Sequence, residues 1–310
     1  MAIKGTTQLL GVIGYPVKHS FSPLMHNAAI AHLQKSAPAD YVYLPFPIPP
    51  RDLKDAIAGF KAIGLCGFNI TIPHKQMIMP LLDEVSDVAR AIGAVNTVWK
   101  ETRENDKQIW CGTNTDAIGF LSPLKSPPGS PLSSAEKPFD QDWASTRAII
   151  LGNGGASRAV VAACHQLGCK RISVVGRNPE KLALFAESWA NSPEIAARLK
   201  VMTWDELPVQ LPKAGLVVNA TPVGMHPDIE ASPLSNKEIE LLPKGAIAYD
   251  LIYTPRPTKF LQQAAAAGLI AIDGLEMLVQ QGAAALEIWL GQPAPVEIMR
   301  QALLDYLATA

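Results

Sequence analysis

A chain of 310 residues, 48% of them hydrophobic, is long enough to fill two hydrophobic cores, so two domains are expected. The formal net charge of −1 argues against the basic surface that nucleic-acid binding needs. The apolar runs are shorter than the roughly 20 residues of a membrane-spanning helix, and the first residues show no signal-peptide pattern. We therefore expect a cytoplasmic protein with neither nucleic acid nor a membrane as a partner.

The first part of the chain alternates β-rich apolar stretches with helical patterns. Strands are predicted at residues 9–13, 41–46 and 67–72, and helices at residues 23–33 and 52–63. Parallel strands need crossovers of about this length. The pattern therefore predicts a mostly parallel sheet covered by helices.

Residues 122–145 are rich in proline, serine, glycine and charge. Prolines from Pro123 to Pro138 are expected to break any helix or strand here, which predicts a surface insertion. Because a second α/β pattern begins just after it, the segment marks an approximate domain boundary. A long loop within one domain is an equally compatible interpretation.

The second α/β pattern is that of a doubly wound domain. Strands are predicted at residues 148–151, 171–175, 216–219 and 246–250, and helices at residues 156–167 and 179–189. Two more helices, at residues 275–290 and 295–307, have no further strands to cover and are expected to return to the first domain. We therefore predict an α/β protein in which residues 1–116 and 275–310 form one domain and residues 117–274 form a Rossmann-type domain.

A glycine turn joins the first strand and helix of this second pattern. Gly152 allows a tight turn, Gly154 lets the backbone approach a pyrophosphate, and Ala159 is small where the helix meets the strand. The helix N-terminus then faces the anion. The predicted phosphate contacts are Gly152, Asn153, Gly154, Gly155 and Ala156.

The end of the next strand indicates which dinucleotide is bound. An Asp or Glu there would accept hydrogen bonds from a ribose 2′-hydroxyl, and the sequence has none. Arg177 and Lys181 stand instead where a 2′-phosphate would lie, which favours NADP over NAD. The alternative is that both cations are solvated residues at a helix start. The predicted contacts are Gly176, Arg177, Asn178 and Lys181.

Polar residues in the first domain follow predicted strands, where ligands of open α/β sheets collect. Each has an ordinary structural interpretation when taken alone. Ser22 before Pro23 is typical of a helix start, Asp116 is a candidate helix cap, and Lys75 has the character of a surface lysine. The candidates are Ser20, Ser22, Thr71, Lys75, Asn96, Thr115 and Asp116.

Taken together, these motifs resemble the shikimate dehydrogenase family along nearly the whole chain, apart from the proline-rich segment. In the first half the matching motifs are Gly14-Tyr15-Pro16, Ser20-Phe21-Ser22-Pro23, Asn69-Ile70-Thr71-Ile72-Pro73-His74-Lys75, Gly93-Ala94-Val95-Asn96-Thr97 and Gly112-Thr113-Asn114-Thr115-Asp116. In the second half they are the glycine turn, Asn219-Ala220-Thr221-Pro222-Val223-Gly224-Met225, Tyr249-Asp250-Leu251-Ile252-Tyr253, Asp273-Gly274 and Met277-Leu278-Val279-Gln280-Gln281.

The resemblance implies roles for these residues. Ser20 and Ser22 would hold the substrate carboxylate, with Tyr253 near it. The ring hydroxyls would be held by Thr71, Asn96, Asp116 and Gln281. Lys75 and Asp116 match the catalytic pair, with Lys75 as the proton-transfer group; the reverse assignment stays open.

The resemblance also implies the activity and the cofactor contacts. The implied activity is reversible NADPH-linked reduction of 3-dehydroshikimate to shikimate, without a metal, in an enzyme that is a homodimer. Leu251, Gly274 and Asp87 are further implied contacts of NADP. Where family members commonly have Asn-Arg-Thr, this chain has Gly176-Arg177-Asn178 and so retains the arginine.

Three other functions compete with this one. A quinate/shikimate dehydrogenase relative would use the same groups, often with NAD. A noncatalytic sensor of the same fold would be expected to lose Lys75 or Asp116, and both are present. A methylenetetrahydrofolate dehydrogenase has a comparable architecture, but the paired serines with Asn96 and Asp116 do not suit a pterin.

Overall fold

The computed structural model describes residues 3–35, 40–125 and 141–309. The chain divides into two compact units. The first comprises residues up to Gly119 together with those from Val279 onward, and the second runs from Phe120 to Leu278. The boundaries expected from the sequence, after residues 116 and 274, lie close to these positions. Within the described ranges, no helix has the length and apolar character needed to cross a membrane.

The part of the chain before residue 126 contains six strands and five α-helices within its described residues. In chain order they are β1 (Gln8–Gly14), α1 (Ser22–Leu33), β2 (Tyr41–Pro47), α2 (Leu53–Ala62), β3 (Gly67–Ile70), α3 (His74–Met77), β4 (Glu84–Val85), α4 (Asp87–Ile92), β5 (Thr97–Thr102), β6 (Gln108–Thr113) and α5 (Asp116–Lys125). The predicted strands and helices of this region are all present. Strands β4, β5 and β6 were not predicted.

These strands form one six-stranded sheet in the order β2-β1-β3-β5-β6-β4. Strand β1 pairs in parallel with β2 and β3, whereas β5 is antiparallel to β3 and to β6. Because of this reversal, the first residue of β5, Thr97, lies opposite Asn69 on one side and Thr113 on the other. The polar residues that follow β3 and β6 and precede β5 are thereby brought to one edge of the sheet.

The sequence prediction that prolines break all structure from residue 122 is wrong for residues 122–125. Pro123 lies inside α5, which continues to Lys125. A proline inside a helix costs roughly 3 kcal/mol because it removes a hydrogen bond and crowds the preceding turn. Burial of the neighbouring Leu121 and Leu124, which are 3% and 1% exposed, offsets that cost and means that these residues are no surface insertion. Residues 126–140 of the predicted insertion lie outside the described residues.

After residue 140 the described chain contains a second set of strands and helices. In chain order they are β7 (Arg147–Leu151), α6 (Gly155–Gln166), β8 (Arg171–Gly176), α7 (Pro179–Glu187), α8 (Pro193–Ala196), β9 (Leu199–Thr203), α9 (Leu207–Gln210), β10 (Leu216–Asn219), α10 (Asn236–Ile239), β11 (Ile247–Asp250), α11 (Lys259–Ala266), β12 (Ile270–Ile272), α12 (Leu275–Leu290) and α13 (Val296–Thr309).

The second sheet is parallel throughout, in the order β12-β11-β10-β7-β8-β9. This is the strand order of a doubly wound dinucleotide-binding fold, whose ligand crevice lies where the order reverses, between β7 and β10. Residues 148–151 of β7 are buried on both faces, as expected for a central parallel strand. The predicted α/β class and Rossmann-type sheet are therefore confirmed.

Candidate active site

Lys75 and Asp116 form an ion pair in the first unit. The Nζ of Lys75 lies 2.5 Å from Oδ2 of Asp116, and their side chains are 16% and 7% exposed. Lys75 belongs to α3, directly after β3, and Asp116 is the first residue of α5, directly after β6. The carbonyl of Lys75 also accepts a hydrogen bond from the Val95 N–H at 2.8 Å, which ties α3 to the segment before β5.

His74 anchors the turn that presents Lys75. It is fully buried, and its Nε2 lies 2.7 Å from the carbonyl oxygen of Ile48. The backbone N–H of His74 donates to the carbonyl of Thr71 at 3.0 Å, which closes the turn between β3 and α3. The structure therefore places His74 in a supporting position behind the lysine.

Asn96 connects the ion pair to the rest of the site. Its Nδ2 donates to Oδ1 of Asp116 at 2.8 Å and to Oε1 of Gln281 at 3.3 Å. Its Oδ1 accepts from the backbone N–H of Thr115 at 2.8 Å. Since a backbone N–H can only donate, this contact fixes which end of the amide faces Asp116. Four predicted residues, Lys75, Asn96, Asp116 and Gln281, are thus in one hydrogen-bonded group.

Ser20, Ser22 and Thr71 follow the ends of β1 and β3. The N–H of Ser22, the first residue of α1, donates to Oγ of Ser20 at 3.3 Å, so the two predicted carboxylate ligands are adjacent. Thr71 packs against Gly14, because a Cβ added to Gly14 would lie 2.4 Å from Cγ2 of Thr71. Thr71 keeps a partly exposed side chain beside the end of β1.

The glycine turn of the second unit has the backbone that a phosphate site requires. Gly152 has φ +103°, in a region that favours glycine, and an added Cβ there would lie 3.1 Å from the carbonyl oxygen of Ala220. Gly154 is the N-cap of α6 with no side-chain capping hydrogen bond, and no atom lies within 4 Å of an added Cβ. The open approach and the uncapped N–H groups of α6 fit a pyrophosphate.

The loop after β8 carries the predicted 2′-phosphate contacts. Arg177 and Lys181 are both exposed. Asn178 caps α7, because its Oδ1 accepts from the N–H of Lys181 at 2.9 Å. An added Cβ on Gly176 would lie 3.3 Å from Cγ of Asn153, so this loop borders the glycine turn. Two exposed cations next to a pyrophosphate cradle fit the extra phosphate of NADP.

Leu251, Tyr253 and Gly274 lie beyond the carboxyl end of β11. An added Cβ on Gly274 would lie 2.2 Å from the carbonyl oxygen of Leu251, so only glycine fits there. The Gly274 N–H donates to the carbonyl of Ile252 at 3.1 Å. Tyr253 is partly buried, and burial raises its pKa.

Asp250 organises this segment, although no role for it was predicted. Its buried carboxylate accepts hydrogen bonds from Asn219 Nδ2 at 3.0 Å, from the N–H of Ile252 at 3.0 Å and from the hydroxyl of Thr258 at 2.7 Å. Burial raises the pKa of Asp250 to about 6 despite these bonds. The carboxylate therefore joins the end of β10 to the loop that follows β11.

Asp87 occupies the first position of α4, in the first unit. Its carboxylate is 95% exposed and pairs with Arg90 at 2.6 Å. Its contact with the cofactor stays a prediction.

Family models of shikimate dehydrogenases match three stretches of the chain. The substrate binding domain model matches residues 12–98, the shikimate/quinate 5-dehydrogenase model residues 133–277, and the C-terminal domain model residues 274–304. The shikimate dehydrogenase (NADP(+)) of Trichormus variabilis is 58% identical over 98% of this chain and 99% of its own. The chain belongs to the shikimate dehydrogenase family.

Solved structures agree with this membership. A shikimate dehydrogenase crystallised in complex with NADP+ is 35% identical, with a TM-score of 0.82 over 99% of this chain and 98% of its own. The Thermus thermophilus shikimate 5-dehydrogenase in complex with NADP(H) and shikimate is 34% identical, with a TM-score of 0.78 over 96% of this chain and 99% of its own. The predicted family, fold class and activity of an NADP-dependent shikimate dehydrogenase are thereby confirmed.

Several residues of this family member's site had no predicted role. Asn69 and Thr97 lie within the matched motifs and contact Asn96, but a single sequence does not separate them from residues that only pack. Tyr43 carries no motif signal at all. Burial raises the pKa of its phenol well above the usual value, and a hydrogen bond with Ser22 opposes that rise.

Proposed function

We propose that Lys75 transfers the proton in the reversible, NADPH-linked reduction of 3-dehydroshikimate to shikimate, and that Asp116 orients Lys75 and binds the reacting hydroxyl. The contact of 2.5 Å between Lys75 Nζ and Asp116 Oδ2 carries this proposal. In the oxidation direction the alcohol loses a hydride from carbon and a proton from oxygen. During reduction the ammonium of Lys75, held by Asp116, gives its proton to the carbonyl oxygen, and in oxidation the neutral amine left behind takes that proton back.

The substrate would be held by polar side chains near the ends of β1, β3 and β6, and Tyr253 is proposed as a carboxylate contact. Ser20 and Ser22 offer adjacent hydroxyl donors for the carboxylate. Thr71, Asn96, Asp116 and Gln281 would bind the ring hydroxyls. The buried amide of Asn96, already bonded to Asp116 and Gln281, supports a role in fixing the ring relative to Lys75.

The second unit would hold NADP, which when bound supplies or accepts the hydride. The N–H groups at the start of α6 would bind the pyrophosphate, and Arg177 and Lys181 the 2′-phosphate. Leu251, Gly274 and Asp87 complete the proposed contacts of NADP. This division assigns residues 1–116 and 275–310 to substrate binding and residues 117–274 to the cofactor.

The proposal extends to assembly and location. The family resemblance suggests a homodimer, and the proposed role as a biosynthetic enzyme suggests the cytoplasm. Light scattering of the purified chain tests the first: a mass of one chain in solution contradicts the homodimer. Fractionation of the source cells tests the second.

The assay that tests the function follows absorbance of the reduced nicotinamide. The purified chain is mixed with shikimate or quinate, and with NADP or NAD. We expect rapid reduction of NADP with shikimate and slow reduction in the other combinations. Equal rates with quinate or NAD would assign the chain to the dual-specificity relatives, and binding of shikimate without turnover would favour the sensor.

A further inference from the structure

Tyr43 is a buried tyrosine on β2 with no role in the reaction described so far. It is 1% exposed, and its ring stacks on His26 with centroids 4.3 Å apart. Its hydroxyl donates to Oδ1 of Asn69 at 2.7 Å. Since β1 lies between β2 and β3, the phenol reaches across one strand to make this bond.

The hydroxyl of Tyr43 helps to fix the amide of Asn69. When Oδ1 accepts from the phenol, Nδ2 points the other way and donates to the carbonyl of Asn96 and to Oγ1 of Thr97, both at 3.2 Å. If the Asn69 amide were flipped, its Oδ1 would face the carbonyl oxygen of Asn96, and two acceptors would meet without a proton between them. Asn69 is 5% exposed, so water does not replace a lost partner at low cost.

Thr97 passes this constraint to the ion pair. Its Oγ1 donates to Oδ1 of Asn96 at 3.0 Å, and Nδ2 of Asn96 donates to Oδ1 of Asp116 at 2.8 Å. The other carboxylate oxygen of Asp116 is the one that pairs with Lys75. A continuous chain of buried hydrogen bonds therefore runs from β2 to the lysine.

We propose that Tyr43 is a positioning residue for the reaction. Its hydroxyl, acting through Asn69 and Thr97, adds to the Thr115 N–H a second constraint on the Asn96 amide, which orients Asp116 and Lys75. This inference rests on the proposed function, because it requires Asn96 and Asp116 to act on the substrate.

The alternative is that Tyr43 does not act through Asn96 and only packs or contacts Ser22. Its ring contacts His26 and lies 5.9 Å from the ring of Trp289, so removing the ring would disturb the core whichever view is right. Replacement by phenylalanine keeps the ring and removes only the hydroxyl. Tyr41, two positions earlier on β2 and partly buried, allows the same change as a matched control.

A double-mutant cycle on the full chain separates the two views. We would measure kcat with shikimate and NADP, and the dissociation constant of shikimate by calorimetry, in wild type, Tyr43→Phe, Asn96→Ala and the double variant. We expect Tyr43→Phe to lower kcat about tenfold while Tyr41→Phe changes it less than about twofold. In the Asn96→Ala background, Tyr43→Phe should change both constants less than about twofold.

Two outcomes of the double-mutant cycle would count against the positioning role of Tyr43. Equal effects of Tyr43→Phe in both backgrounds, or no effect in wild type, would overturn the positioning role. If Asn96→Ala alone leaves turnover and affinity unchanged, the proposed site itself is wrong and the inference fails with it. Running the cycle on affinity as well as kcat keeps the test valid when the turnover of Asn96→Ala is too low to measure.

Discussion

Lys75 and Asp116, 41 positions apart in the chain, meet at 2.5 Å where β3 and β6 end. Neither side chain is more than 16% exposed, so each charge depends on the other for compensation. The carboxylate is held from its other oxygen by Asn96. The position of the Lys75 ammonium relative to a bound substrate hydroxyl is therefore set by Asp116 and Asn96.

We expect Lys75→Ala and Asp116→Asn each to lower kcat with shikimate by about 10² to 10⁴, because each removes part of one proton-transfer unit. Since the two residues act together, the double variant should lose about as much as the worse single variant. Steady-state kinetics of the three proteins measure this. If the fold losses of the two single variants multiply in the double variant, Lys75 and Asp116 do not act together.

The exposed pair of Lys61 and Asp83, at 3.9 Å, supplies a control for that experiment. Lys61→Ala removes an ion pair of the same chemistry that is largely exposed to solvent. It should leave kcat within about twofold, because surface pairs contribute little.

Arg177→Ala should weaken binding of NADP and leave NAD unaffected. A hydrogen-bonded charge pair with the 2′-phosphate contributes about 1.5 to 3 kcal/mol, which predicts a rise of roughly 10- to 100-fold in KM for NADP. Arg171, exposed at the opposite end of β8, is the matched control and should change neither KM. A parallel loss of NAD affinity would show that Arg177 supports the fold of the loop and does not read the phosphate.

The parts of the proposed site that the sequence alone indicates lie in short, continuous stretches. Gly152 and Arg177 could be assigned because a strand, a turn and a helix start follow one another directly in the sequence. Lys75 and Asp116 were assigned together through the family resemblance, since nothing in their spacing brings them into contact.

The parts that were missed depend on long-range packing. Tyr43 and Asn69 come together because the sheet places β2 and β3 on either side of β1. The antiparallel strand β5, which sets the contacts of Thr97, was not predicted. Pro123 was expected to end a helix, but burial of its neighbours outweighs the local cost. A single sequence does not report these compensations.

Asp250 should make the chain less stable as pH rises through the weakly acidic range. Its pKa is about 6 in the folded chain against 3.8 as the ordinary value, because it is buried. The folded state therefore holds the proton more tightly, so the stabilisation is present in full below pH 3.8 and is lost between pH 3.8 and 6. The difference amounts to about 3 kcal/mol.

Asp250→Asn tests this, because an amide oxygen still accepts from Asn219 and Ile252 while the Thr258 hydroxyl turns to accept from the new NH2 group. Denaturation between pH 4 and 7 should show wild type losing about 2.5 kcal/mol relative to the variant as pH rises. Asp228→Asn, the same change at an exposed aspartate, is the matched control. Parallel curves for wild type and Asp250→Asn would mean that the carboxylate stays charged throughout.

His26 should have the opposite effect, on the acid side. It is fully buried, and burial lowers its pKa from 6.5 to about 3. The unfolded chain takes up a proton below pH 6.5 that the folded chain refuses until about pH 3. The contribution is therefore present above pH 6.5 and is lost by about 1.4 kcal/mol per pH unit as pH falls.

His26→Phe removes the titration and keeps a ring against Tyr43. Between pH 6.5 and 4.5 we expect wild type to lose about 2 kcal/mol more of its free energy of unfolding than the variant loses. The tight contact of Gly282 with His26, where an added Cβ would lie 3.3 Å from Nε2, means that the larger ring lowers stability at every pH. For that reason the slope against pH is the quantity to compare. His32→Phe, the same change at an exposed histidine, is the matched control. An unchanged slope in His26→Phe would show that His26 takes up its proton as readily in the folded chain as in the unfolded chain.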